Sequence, residues 1–96
     1  MDRWPFADPE NQATLTVRQV VRGGAPILLV SHDADDGMWQ FLSGNDVETE
    51  DAMVVSLRSV FRIDPTIGEV ADLPLGWRAS RRAIGGPWIR EAVDSL

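Results

Sequence analysis

Pro26-Ile27-Leu28-Leu29-Val30-Ser31-His32, then Asp33-Ala34-Asp35-Asp36-Gly37, then Met38-Trp39-Gln40-Phe41-Leu42 is the stretch that decides the fold. The first block is an apolar run of strand length bounded by Gly23-Gly24 and an aspartate cluster. That pattern predicts a central strand buried on both faces. Asp36-Gly37 is a turn signal. The third block alternates as a return strand, with Trp39 and Phe41 on one face.

Working outward from this hairpin, Ala52-Met53-Val54-Val55-Ser56 reads as a third strand. Leu57, Val60 and Phe61 recur at helical spacing behind Ser56, a capping residue. Asp64-Pro65 opens another helix, with aspartate at the cap and proline at the first helical position. Ile67, Val70 and Ala71 form its apolar stripe, and Pro74 stops it. Gly76 to Arg81 and Pro87 to Arg90 read as two strands joined through Gly85-Gly86. Upstream, Thr16 as cap, Gln19 three residues on and a Leu15–Val20 staple predict a short helix closed by Gly23. Val17, Val20 and Val21 pull towards strand instead. Residues 1–13, with Pro5 and Pro9, read as an irregular leader strapped down by Trp4 and Phe6. Residues 14–96 make one domain of the α+β class, with a mainly antiparallel sheet and short helices. Ninety-six residues are too few for two cores.

The charge is unevenly placed. Between Arg22 and Arg58 stand Asp33, Asp35, Asp36, Asp46, Glu48, Glu50 and Asp51, with no base among them, and they account for essentially all of the net charge of -6. Such a field repels nucleic acid and anionic membranes and steers in a basic partner. These seven carboxylates are therefore the candidate partner-binding residues, on the expectation that they share one solvent face. The chain has no cysteine, which fits a reducing compartment and excludes thiolate zinc sites. Its apolar runs are too short for a membrane helix and its N-terminus lacks a signal-peptide pattern, so a cytoplasmic protein is expected. Every Lys/Arg position is arginine; coding bias is the favoured reading, with a need for planar guanidinium forks as the alternative.

No legible catalytic set emerges. His32 is the only histidine and sits beside three aspartates, but has no second histidine to complete a usual metal set. Asp33-x-Asp35-x-Gly37 fails the calcium-loop pattern, because the glycine falls at position five and position twelve is Gly44. Ser31 and His32 are adjacent on a strand and so point to opposite faces. The double glycines lack phosphate-loop spacing. Arg78, Arg81 and Arg82 near Trp77 and Trp88 could form a nucleic-acid surface, but the overall charge has the wrong sign. An exposed strand with arginine stems packed over tryptophans is favoured. Trp39 and Trp77 are expected in the core. No enzyme activity, no cofactor and no metal is expected.

Two blocks carry a resemblance. Asp36-Gly37-Met38-Trp39-Gln40-Phe41-Leu42-Ser43-Gly44-Asn45-Asp46 resembles a Gly-Trp-x-Phe-x-Ser-Gly-Asp hairpin, with Met38 inserted and Asn45 placed before Asp46. Asp64-Pro65-Thr66-Ile67, Asp72-Leu73-Pro74-Leu75-Gly76 and Arg78 resemble an Asp-Pro…Leu-Asp-x-Pro-x-Gly segment ending in a base. Both are similar to the small bacterial proteins grouped as domain of unknown function 2185, or immunity protein 33-like. The resemblance implies a compact α+β domain and, in some members, an antidote that neutralises a toxin; it supplies no catalytic residues. The expectation is a non-enzymatic binding protein that occludes a basic protein partner. The rival is a homodimeric ligand-binding or regulatory domain, pairing near Trp77 and Trp88. A hydrolase built on His32 is a third.

Overall fold

The computed structural model describes residues 3–44 and 48–93. Its strands are β1 (Ala13–Val17), β2 (Leu29–His32), β3 (Trp39–Leu42), β4 (Ala52–Ser56), β5 (Trp77–Ser80) and β6 (Ile89–Ala92). Among the described residues they form one six-stranded sheet in the order β4-β1-β3-β2-β5-β6. Every pairing is antiparallel except β1 with β3. Helix α1 (Arg18–Val21), helix α2 (Leu57–Ile63) and two 3-10 segments, Thr49–Asp51 and Pro65–Val70, complete the α+β architecture.

Register sorts the side chains. His32 pairs with Trp39 and Trp77, and Val30 with Phe41 and Ala79, so these six share one face. Thr14 and Thr16 join that face opposite Val55 and Met53. Val20, Leu57, Val60, Ile67 and Val70 pack into the same buried cluster as Val30, Trp39, Phe41 and Ala79. The helices therefore cover one face only. Across the sheet Val54 and Ile89 remain 67% and 64% exposed. This corrects the expectation that β2 is buried on both faces: only Val30 is fully buried in it.

Trp4 and Phe6 strap the leader to the body, but Ala13, expected to be irregular, opens β1 because it pairs with Ser56. Phe6 is buried and meets Trp39 edge-on at 5.2 Å, while Trp4 meets Phe61 at 5.4 Å. The expected caps also form. The Ser59 backbone N–H donates to Ser56 Oγ at 3.1 Å, and that of Thr66 donates to Asp64 Oδ1 at 3.0 Å.

The helix expected from Thr16 is corrected. Residues 13–17 are strand, and Thr16 Oγ1 donates to the Phe41 carbonyl at 2.7 Å instead of capping. The alternation of Thr14, Thr16 and the β-branched Val17 outweighs the capping pattern once β3 and β4 flank the segment. A single helical turn remains at Arg18–Val21, and the left-handed glycine after it is Gly24, with φ 72°, rather than Gly23.

Candidate functional site

The sheet divides the acidic segment in two. Asp33, Asp35 and Asp36 lie on the turn that follows His32 and precedes Trp39. Glu48, Glu50 and Asp51 lie where β4 begins, and Ala52 there pairs with Val17, the last residue of β1. Because β1 runs parallel to β3, that point belongs to the far end of β3. The two groups are thus separated by at least the four residues of β3, about 13 Å. Asp46 lies outside the described residues. The single continuous acidic face expected from the sequence is replaced by two clusters at opposite strand ends.

The two clusters differ in how far their charge is already used. Asp51 accepts from Gln19 Nε2 at 3.0 Å and from the Glu48 backbone N–H at 2.9 Å, and pairs with Arg18 Nε at 3.0 Å. The Gln19 hydrogen bond first, then the Glu48 amide and the Arg18 charge, hold its carboxyl below the ordinary aspartate value. Arg18 also donates to the Glu50 carbonyl at 2.9 Å. At the other end, Asp33 accepts from Ser31 Oγ at 3.2 Å and from Gln40 Nε2 at 2.6 Å. Asp36 accepts from the Met38 backbone N–H at 2.9 Å, which shapes the turn. Among the described residues, no base pairs with Asp33, Asp35 or Asp36, and Asp35 and Asp36 are exposed.

Beside this turn opens a cleft of about 350 Å³ lined by His32, Asp33, Ala34, Asp35, Gly76, Trp77 and Val93. Its parts are held from both sides. The Gly76 backbone N–H donates to the His32 carbonyl at 2.7 Å, and that of Val93 donates to the Gly76 carbonyl at 2.7 Å. His32 stacks on Trp39 with ring centroids 3.9 Å apart, and its Nδ1 lies 2.8 Å from the Leu73 carbonyl oxygen. A carbonyl only accepts, so Nδ1 carries the hydrogen and Nε2 keeps a lone pair in the neutral ring. Nε2 has no partner among the described residues and is not buried, so it meets solvent. Trp77 is 37% exposed, which corrects its expected place in the core. It stands at the last pair of the β2–β5 ladder.

The three arginines read as one candidate surface do not form one. Arg81 is buried, donating from Nη2 to Asp64 Oδ2 at 2.7 Å and from Nη1 to Thr66 Oγ1 at 2.8 Å, with Trp88 lying 4.1 Å over its guanidinium. Arg78 pairs with Glu91 at 2.7 Å. Arg82 is exposed. Among the described residues, no three His, Asp or Glu side chains are grouped to hold a metal. No helix among them is long and apolar enough to cross a membrane. Compared with known proteins, the chain matches no family model, no curated protein and no solved structure.

Sequence reasoning missed the cleft because its walls are 44 residues apart in the chain at His32 and Gly76. The one signal available was His32 at a strand end beside a turn rich in acid.

Proposed function

We propose that the protein is a non-enzymatic cytoplasmic binding protein of antidote type, which takes a basic protein partner at the β2–β3 turn end of its sheet. One observation carries this reading. Asp35 and Asp36 stand exposed and without a paired base beside a concave cleft that has an aromatic wall. Exposed, unpaired carboxylates accelerate encounter with a basic surface, and a nearby aromatic offers buried contact area. The antidote role follows the resemblance of the two sequence blocks, and the absence of cysteine suits a reducing cytoplasm. Of the seven carboxylates, Asp33, Asp35 and Asp36 then carry docking, while Asp51 serves its own end of the sheet.

The test is the association rate of a captured partner at rising ionic strength. The wild-type rate should fall with salt. The Asp35→Arg/Asp36→Arg variant should associate about tenfold more slowly at low salt, with Glu48→Arg/Glu50→Arg close to wild type. A salt-indifferent rate, or equal effects of the two charge swaps, would count against the proposal.

A second reading has its own observation. β6 is an edge strand in which every residue is exposed, followed by Val93 at 45% exposure. A second copy could add its own β6 there. Arg90 and Glu91 place charge along that edge, which opposes casual pairing. A dimer seen by sedimentation and dissolved by Ile89→Lys would favour this reading.

A further inference from the structure

We infer that the cleft between the β2–β3 turn and the start of β5 is a seat for one arginine side chain, and that the partner of the proposed function supplies it. The inference rests on that reading only for who carries the arginine.

The lining defines the ligand by charge first. Asp33 and Asp35 are carboxylates, and no arginine lines the cleft. Arg78, next to Trp77 in the chain, is committed to Glu91. A phosphate or carboxylate ligand would meet the repulsion of two carboxylates there, whereas a cation is attracted by both.

Hydrogen-bonding capacity narrows the choice. Acceptors outnumber donors in the lining. The Asp35 carboxylate is exposed and unpaired, whereas the Asp33 oxygens already accept from Ser31 and Gln40. His32 Nε2 keeps a lone pair in the neutral ring because Nδ1 donates to the Leu73 carbonyl, and the Trp77 indole N–H is a donor. Stacking on Trp39 at 3.9 Å keeps the His32 ring from turning away. An excess of acceptors over donors matches a group that only donates, and a guanidinium carries five N–H donors in a plane.

Shape agrees. The exposed Trp77 ring offers a π-face on which a planar cation stacks. Ala34, Gly76 and Val93 provide apolar lining for the methylene stem. A space of about 350 Å³ lies at the small end of ligand sites, suited to a side chain rather than a nucleotide.

The experiment uses the isolated full chain and a defined probe, N-acetyl-arginine amide, followed by NMR. The neutral isostere N-acetyl-citrulline amide and N-acetyl-lysine amide serve as comparisons. The arginine probe should give saturable shifts of the Trp77 indole N–H and the His32 ring in the millimolar range. The citrulline probe should give none, and the lysine probe should bind more weakly than arginine. Asp35→Asn, on an exposed turn, and Trp77→Leu should each weaken binding about two- to fivefold.

Citrulline shifts equal to those of arginine would overturn the inference. So would shifts spread equally over Trp4 and Trp88, or no saturable shift at Trp77. If those results came while the turn charge swap still slowed partner association, the proposed function would stand and the arginine seat alone would fall. Saturable arginine binding beside a salt-indifferent partner would keep the seat and remove the proposed function.

Discussion

The Arg81 guanidinium meets the Asp64 carboxylate at 2.7 Å with the two side chains 0% and 9% exposed. Arg81 Nε donates to the Ile27 carbonyl at 3.1 Å, and its backbone N–H donates to the Leu28 carbonyl at 3.0 Å. One residue thus ties the end of β5 to the chain entering β2 and to the cap of the 3-10 helix. Such a pair stabilises little relative to an apolar replacement, but removing one member strands a buried charge.

Arg81→Ala should therefore lower unfolding stability by about 3–5 kcal/mol in urea titrations. A double change, Asp64→Leu with Arg81→Met, should recover a large part of that loss. A single substitution costing under about 1 kcal/mol would show that the charges are solvated in solution.

Phe6→Ala should cost about 3 kcal/mol, because Phe6 is buried against Trp39 and lies 6.3 Å from Phe61. Tryptophan emission should shift to the red as Trp39 gains water. A variant with wild-type stability would mean that the leader does not seal this side of the core.

Thr16→Val keeps the shape of the side chain and deletes its 2.7 Å hydrogen bond to the Phe41 carbonyl. A loss of about 1 kcal/mol is expected from the urea midpoint. If Thr16 capped a helix instead, far-ultraviolet circular dichroism of the variant would lose helical signal; no such loss is expected.

Asp51 sets a pH dependence whose sign can be worked out. Its folded value lies below the ordinary 3.8, chiefly through the Gln19 hydrogen bond, so its stabilisation is fully present above that value. It is lost as pH falls through the folded value. The stability gap between wild type and Asp51→Asn should accordingly be widest near neutrality and close in strong acid. A gap unchanged between pH 7 and pH 3 would contradict the arrangement around Asp51.

Local signals were the legible ones. The hairpin, Ser56 as a cap and Asp64-Pro65 as a helix opening all depend on neighbours within a few positions, and all three appear as read. Residues 13–17 were misread because their strand character comes from flanking β3 and β4, which no short window contains. Arg81 looked like a surface base because its partners, Asp64 and the Ile27 carbonyl, are 17 and 54 positions away. The acidic run looked like one patch because sequence adjacency hides the direction of β3. That strand carries the chain from one end of the sheet to the other between Asp36 and Glu48. The candidate cleft was legible only as His32 and its aspartates; Trp77 enters through the β2–β5 ladder.

β1 lies between β3 and β4, both of which come later in the chain. During synthesis this Thr/Val-rich segment waits with both edges naked until Leu42 has left the ribosome, and with one edge naked until Ser56 has followed. The most hazardous interval in the life of this molecule is then its own birth, when a neighbouring nascent chain offers those edges a competing template.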